Sequence, residues 1–255
     1  MTGGTLSELA RLHAEVNIAR AASRSATLAL VLRGWIPLAL VMLACGLSAD
    51  PLPSAPLTPP PAAPAASDRI GQHPPDFDVA AWIVDPRLAT GPASLAALHG
   101  QVVLVRFWTD TCPYCKATAP ALVALDRDFR DQGLVVLGLH HPKPRPADNA
   151  PVDVERQSQR IAEVAASYGF RFAIGLDWQW HTLQAWWLDH AAPNGTSATS
   201  ATILIDARGV IRWVHPGPEY HPDGPEDHVQ CRADYAELRD MVTRLLAERG
   251  EEKVG

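Results

Sequence analysis

The chain has 255 residues, of which 47% are hydrophobic and 20% charged. These proportions are ordinary for a globular protein and exclude a wholly disordered chain, a collagen and a multi-span membrane protein. A formal net charge of −6 gives no electrostatic support for nucleic-acid binding, so we expect no nucleic-acid partner.

The first 49 residues have the pattern of an export segment. An uncharged apolar run, residues 34–49, follows a lead with four arginines and is shorter than the roughly 20 residues that span a bilayer. Its sequence MLACG, residues 42–46, resembles a bacterial lipobox. The resemblance implies that Cys45 is the lipidation site, while an ordinary signal or an uncleaved membrane anchor stays open. In each case we expect an exported domain in a periplasmic or otherwise extracytoplasmic location, and we expect it to be membrane-anchored as a lipoprotein.

A proline-rich spacer follows the export segment. Residues 50–67 contain seven prolines, a composition typical of a semi-rigid extended linker. The sequence therefore predicts three parts: a signal, lipoprotein or membrane-anchor segment over residues 1–49, a Pro-rich linker over residues 50–74, and one folded domain over residues 75–255.

Strand and helix patterns alternate within the predicted domain. Two runs of apolar and β-branched residues predict buried strands at Val102–Trp108 and Leu134–His140. The other predicted elements are helices over Pro113–Asp131, Val154–Tyr168, Leu183–Leu188 and Ala233–Glu248, a strand over Phe172–Leu176, and a hairpin of Ala201–Ile205 with Val210–Val214. This order predicts an α/β fold with a mixed β-sheet and helices on both faces.

A CPYC sequence, Cys112 to Cys115, lies just after the first long strand and opens the first long helix. Unpaired N–H groups and partial positive charge at a helix N-terminus stabilise a thiolate, so we expect Cys112 to be the attacking sulfur. Cys115 lies nearly one turn further on, close enough to resolve a mixed disulfide. Pro113 suits the first helical position, and Lys116 adds a little positive field.

Three segments resemble the thioredoxin superfamily, specifically the exported TlpA/ResA-like and AhpC/TSA-type redoxins: Leu98–Leu122, Gly133–Pro142 and Ala201–Gly217. The resemblance implies a thioredoxin-like domain and a thiol–disulfide oxidoreductase with Cys112 and Cys115 as its redox-active disulfide. It also implies protein disulfide or dithiol substrates, a membrane dithiol carrier as electron donor, and no organic cofactor.

Several residues are predicted to support the dithiol. Trp108 stands where related sites carry an aromatic residue that packs on the disulfide. Ser200 stands at the position of the family's cis-proline, so the substrate-binding loop departs from the family. The complete predicted supporting set is Trp108, Thr109, Pro113, Tyr114, Lys116, Thr199 and Ser200.

The family's acidic residues near the dithiol are missing. Arg106 and Thr118 occupy positions where relatives carry Asp, Asn or Glu. The usual carboxylate that accepts the proton of Cys115 therefore cannot be assigned, and the candidates are Asp110 or a water.

Two other functions remain open from the sequence. Thr109 and Cys112 fit the TxxC pattern of peroxiredoxins, which allows a thiol peroxidase. A non-catalytic copper or haem-pathway metallochaperone would bind metal through the dithiol, helped by a Pro/Gly-rich loop. That loop contains His215, His221, Asp223, His228 and Cys231, whose irregular spacing leads us to assign no metal ligand.

For two further groups of residues, the sequence favours a structural position over a role in the chemistry. His140 and His141 end a strand near the dithiol, where they could tune it, but we predict that they are exposed loop residues. Four clustered tryptophans are predicted to pack beneath a helix: Trp178, Trp180, Trp186 and Trp187.

Overall fold

A six-stranded mixed sheet forms the centre of the computed structural model, which describes residues 66–190 and 198–252. The strands are β1 (Ala81–Trp82), β2 (Val102–Trp108), β3 (Leu134–His140), β4 (Ala173–Leu176), β5 (Thr202–Ile205) and β6 (Ile211–His215). Their order across the sheet is β1-β4-β3-β2-β5-β6. β2, β3 and β4 pair in parallel, whereas β1, β5 and β6 are antiparallel to their neighbours.

Helices cover both faces of this sheet. They are α1 (Pro113–Phe129), α2 (Val154–Ser167), α3 (His181–Trp186) and α4 (Val229–Glu252). Buried residues of α1, α2 and α4 join one core cluster, and those of α3, with Trp186 and Trp187, join the other. Alternate residues of β2 enter the two clusters because successive side chains of a strand point to opposite faces. The predicted α/β fold, a mixed sheet with helices on both faces, is confirmed.

The buried strands follow the predicted boundaries most closely. β2 and β3 coincide with the predicted ranges, since both are almost continuously buried runs. The two-residue β1 is missed, and α3 begins two residues earlier than predicted. The carboxylate of Asp177 explains this early start, because it accepts the backbone N–H groups of Thr182 (3.3 Å) and Leu183 (2.8 Å).

The predicted export segment, Cys45 and most of the linker lie outside the described residues. Residues 66–74, assigned to the linker by the sequence, contact the domain: Gly71 N–H donates to Ile211 O (2.8 Å) and Ile211 N–H donates to Gln72 O (2.9 Å). The three-part division of the chain stays a prediction. Within the described ranges, none of the helices combines the length and apolar character that crossing a membrane requires.

The core beneath α1 provides a test of this packing. Leu125 lies on α1 and is 0% exposed. Leu125→Ala should lower the free energy of unfolding by about 2–5 kcal/mol, because it removes buried methyl groups and leaves a cavity. Urea unfolding followed by tryptophan fluorescence measures this change. The control Val84→Ala, at a side chain that is 94% exposed, should stay within about 0.5 kcal/mol. Equal effects of the two substitutions would contradict the packing.

Candidate functional site

The two cysteines of the CPYC sequence lie at the N-terminus of α1. Cys112 is the capping residue, with extended backbone angles, and Pro113 occupies the first turn. The Sγ atom of Cys112 accepts a hydrogen bond from the backbone N–H of Cys115 across 3.4 Å, and both thiols are free. The Cys112 sulfur thus lies where the N–H groups and partial positive charge of the helix end stabilise negative charge.

The two thiols differ in their access to solvent. Cys112 is half-buried, whereas Cys115 is 2% exposed and belongs to the core cluster beneath α1. Burial raises the pKa of Cys115 to about 11, against the opposing effect of the Arg106 charge. Cys115 is therefore a protonated thiol at neutral pH, and of the two sulfurs only that of Cys112 is accessible from solvent.

A buried arginine accounts for the positive charge close to Cys115. Arg106 lies in β2 and is 1% exposed. Its guanidinium donates to Thr202 Oγ1 (3.0 Å) and to the carbonyl oxygen of Pro218 (2.8 Å), and lies 5.6 Å from the ring centroid of Tyr220. These partners are all neutral. The charge is therefore available to favour the thiolate form of Cys115 and to lower its pKa.

Asp110 forms a polar network at the end of β2. Its Oδ1 lies 3.3 Å from Nε2 of His140, and its Oδ2 forms an ion pair with Arg160 of α2. The hydrogen bond from His140, helped by the charge of Arg160, holds the pKa of Asp110 at about 2. Burial lowers the pKa of His140, so its ring is neutral. A carboxylate of such low basicity is a poor acceptor for the proton of Cys115, which argues against Asp110 in that role.

The prediction that His140 and His141 are exposed is wrong. Both are 0% exposed. β3 extends through His140, which pairs in register with Trp108 in the middle of the sheet. The loop after β3 covers this end of the sheet, and Trp180 Nε1 donates to the carbonyl oxygen of Pro142 in that loop (2.9 Å). Both imidazoles are therefore buried, because β3 lies in the centre of the sheet and the loop after it covers this end.

Two of the predicted supporting residues lie in the core. Trp108 is 2% exposed, belongs to the same core cluster as Cys115, and packs edge-on against His140 with ring centroids 4.9 Å apart. Thr109 is also buried, and its hydroxyl donates to Asp110 Oδ1 (3.3 Å).

The other supporting residues are nearer the surface or on the neighbouring loop. Tyr114 is 48% exposed, and Pro113 and Lys116 are exposed as well. Ser200 is buried and its hydroxyl donates to the Pro218 carbonyl (3.5 Å), whereas the preceding Thr199 is half-buried. The Pro218 carbonyl that holds Arg106 therefore also contacts the predicted substrate loop.

The histidine-rich loop between β6 and α4 divides into separate groups. Nε2 of His215 lies 3.1 Å from Oδ2 of Asp234, and Asp223 is exposed. The remaining members of the predicted loop group converge with one unpredicted acid. They are Glu219, His221, His228 and Cys231, each offering one donor atom within 4.8 Å of the others.

Three residues of this region escape prediction. Arg160 reaches Asp110 across 50 positions, whereas Glu219 lies within 12 positions of the two histidines and the cysteine that it joins. Tyr220 donates its backbone N–H to Thr118 Oγ1 (3.4 Å) across 102 positions. Only a charged or aromatic residue type marks these positions in the sequence, and such residues are common on ordinary surfaces.

Curated relatives align with up to three fifths of the chain. Protein DipZ of Mycobacterium tuberculosis is 28% identical over 153 residues, which is 60% of this chain and 19% of DipZ. Thioredoxin-like protein YneN of Bacillus subtilis is 24% identical over 147 residues, 58% of this chain and 71% of YneN. Thiol-disulfide oxidoreductase ResA of Halalkalibacterium halodurans is 27% identical over 123 residues, 48% of this chain and 58% of ResA. The match thus spans about a fifth of the length of DipZ.

Solved structures align with about 70% of the chain. A hypothetical protein, SMc02350 from Sinorhizobium meliloti, gives a TM-score of 0.48 at 20% identity and covers 70% of this chain and 85% of that chain. A thiol:disulfide interchange protein of the thioredoxin family from Chlorobium tepidum gives 0.46 at 16% identity, with 69% and 97% covered. Both TM-scores are below 0.5.

A family model covers the sheet and the dithiol. It is described as the AhpC/TSA family and matches residues 70–214, more than half of the 255 residues. The matched range includes both cysteines of the CPYC sequence and ends before the Glu219 group. On this match, the chain belongs to the AhpC/TSA family.

Proposed function

We propose that this chain is a thiol–disulfide oxidoreductase in which Cys112 and Cys115 alternate between dithiol and disulfide. The observation that carries the proposal is the unequal pair at the start of α1. Cys112 is partly accessible and accepts the Cys115 N–H across 3.4 Å, whereas Cys115 is 2% exposed. Access therefore sets the order in which the two sulfurs react.

The reaction proceeds in two exchange steps. The Cys112 thiolate attacks one sulfur of a target disulfide, which forms a mixed disulfide and releases the other target sulfur as a thiolate. Cys115 then loses its proton and attacks Cys112 Sγ, so the second target sulfur leaves. The target gains two electrons, one proton from Cys115 and one proton from solvent, and becomes a dithiol, while Cys112 and Cys115 become a disulfide. Run in reverse, the same steps oxidise a target dithiol.

The second step depends on the proton of Cys115. Burial raises the pKa of this thiol, and the Asp110 carboxylate is too weak a base to remove its proton. We propose that the buried charge of Arg106 promotes the step by stabilising the Cys115 thiolate. The target thiolate released in the first step, a much stronger base than the Asp110 carboxylate, takes the proton directly or through a bridging water. Arg106 is thus an electrostatic positioning residue and does not itself contact the substrate.

The alternatives have less support from the site. A peroxidase of the TxxC kind would direct the Thr109 hydroxyl towards the Cys112 sulfur, but that hydroxyl donates to Asp110. A copper chaperone built on the dithiol would combine it with the histidine-rich loop, but the cluster in that loop includes neither Cys112 nor Cys115.

We further propose where and with what the domain acts. Its targets are proteins with accessible disulfides or dithiols, and a membrane dithiol carrier supplies electrons to the Cys112–Cys115 disulfide. The pattern of residues 34–49 and the proline-rich residues 50–67 support export and tethering through lipidated Cys45. Tethering on a semi-rigid spacer would keep the dithiol close to a membrane carrier.

The first prediction separates the roles of the two cysteines. Dithiothreitol-driven insulin reduction should fall to the uncatalysed rate in Cys112→Ser, because the accessible nucleophile is gone. Cys115→Ser should instead accumulate a mixed disulfide between Cys112 and a target peptide, seen by mass spectrometry. Val84→Ser, at a side chain that is 94% exposed, is the control and should retain insulin reduction. Hydrogen peroxide consumption, measured in parallel, should stay slow. Fast peroxide turnover with inactivity on insulin would replace the proposal with the peroxidase.

The second prediction concerns Arg106. Arg106→Met removes the charge and should move the pH midpoint of mixed-disulfide resolution upward by about one pH unit, the lower end of the effect of a nearby charge. The shift is upward because resolution needs the Cys115 thiolate, and loss of a nearby cation raises the pKa of that thiol. Stopped-flow resolution of a preformed mixed disulfide between pH 7 and 10 provides the measurement. This range lies below the pKa of Cys115, so a midpoint one pH unit higher appears as a rate about tenfold lower at each pH. Arg106→Lys should restore most of the rate, and equal rates for Arg106→Met and the parent would contradict the electrostatic role.

The third prediction concerns the tether. Expression of the full chain in a bacterial host should yield a membrane-associated product that begins at Cys45 and carries a lipid mass. The Cys45→Ser product should lack the lipid mass and should retain the segment that precedes residue 45. Intact-protein mass spectrometry distinguishes the two products, and an unlipidated product from the parent chain would refute tethering through Cys45.

A further inference from the structure

A second group of metal-binding side chains lies outside the dithiol, in the loop between β6 and the start of α4. We propose that this loop and the first turn of α4 bind one zinc ion through Glu219, His221, His228 and Cys231. The four donor atoms, one from each residue, lie within 4.8 Å of one another. The group follows the segment matched by the AhpC/TSA family model, which ends at residue 214. The inference therefore goes beyond the proposed redox function.

The spacing of the donors suits a small four-coordinate ion. His221 Nε2 and His228 Nδ1 are 3.1 Å apart, and His228 Nδ1 lies 3.7 Å from Glu219 Oε1. Zinc ligands at about 2.0–2.3 Å in a tetrahedron are separated from each other by roughly 3.2–3.8 Å. Two of the measured separations are thus already close to the spacing that a tetrahedral ion imposes.

The chemistry of the four donors favours zinc over harder cations. One sulfur, two imidazole nitrogens and one carboxylate oxygen form a borderline-soft set, whereas calcium and magnesium prefer oxygen ligands alone. Four protein ligands also leave no open position for a reacting water. The site therefore suits an ion with a structural role.

The loop is shaped around His221, which has few other polar contacts. His221 is 6% exposed, and its Nδ1 has no hydrogen-bond partner within the described ranges. Its backbone N–H donates to the carbonyl oxygen of Cys231 (3.3 Å), which ties the loop to α4. A Cβ atom at Gly224 would lie 2.3 Å from the His221 ring, so glycine is needed there for the loop to fold against the imidazole.

The ion would also hold part of the redox site in place. Glu219 lies between Pro218, whose carbonyl accepts from Arg106 (2.8 Å), and Tyr220, whose N–H donates to Thr118 (3.4 Å). An ion bound to Glu219 and His221 would fasten this segment to the start of α4. This effect on the redox site rests on the proposed function, whereas binding of the ion itself is independent of it.

The test uses the full chain with Cys112→Ser and Cys115→Ser, so that the dithiol cannot bind the ion. Calorimetric titration with zinc chloride should give one equivalent bound per chain. Cobalt chloride should produce the visible absorption of a four-coordinate site, with a thiolate-to-cobalt band. Adding His228→Ala or Cys231→Ser should weaken zinc binding by at least about 100-fold, since even outer-shell substitutions cost 10- to 100-fold.

Matched controls keep the test decisive. Asp223→Asn removes an exposed carboxylate of the same loop and should leave zinc affinity unchanged. Cys231→Ser should abolish the thiolate-to-cobalt band. Absence of stoichiometric zinc binding in the parent, or binding that His228→Ala and Cys231→Ser leave intact, would overturn the site. Insulin reduction is measured separately with the wild-type chain. If the wild-type chain does not reduce insulin while the zinc site still binds one equivalent, that result would count against the proposed redox function alone.

Discussion

Seven residues of β2 pair in register with β3, and four of them pair with β5 on the other side. This central position buries the strand on both faces and places its last residue directly before the turn that leads into α1. The start of α1, with Cys112 as its cap, therefore follows one of the two central strands of the sheet. The same pairing buries Arg106 within hydrogen-bond distance of Thr202 on β5. Placement of the nucleophile and of the nearby charge thus depends on one set of backbone hydrogen bonds.

A buried cation next to a buried thiol gives this site its electrostatic character. In an apolar environment, burial alone favours the neutral thiol, and a carboxylate nearby would favour it further. A guanidinium has the opposite effect, and its neutral partners leave its charge available to Cys115. The ionised Asp110 is held separately by His140 and Arg160. The negative charge of Asp110 is therefore neutralised by Arg160, whereas the positive charge of Arg106 stabilises the Cys115 thiolate.

The segment from Pro218 to His221 connects the two cysteine-containing parts of the domain. Its first residue accepts a hydrogen bond from Arg106, and its third donates one to Thr118 of α1. Its second and fourth residues belong to the group that includes Cys231. The two parts differ in chemistry. The dithiol has a helix end and a cation beside it, which favour thiolate exchange, whereas Cys231 lies among imidazoles and a carboxylate, which favour a metal ion.

The sequence by itself determined the elements whose signal is local. Continuous apolar runs located β2 and β3, and the position of CPYC between a strand and a helix located the dithiol, because periodicity and helix-end chemistry are read from neighbouring residues. The alternation of strands and helices was enough for the fold class. Only the tertiary structure decided which polar groups meet. It buried His140 and His141 under a loop, paired Asp110 with Arg160, surrounded Arg106 with neutral partners, and added Glu219 to two histidines and a cysteine. These contacts join residues up to about a hundred positions apart, and no local pattern encodes which distant side chains the folded sheet brings together.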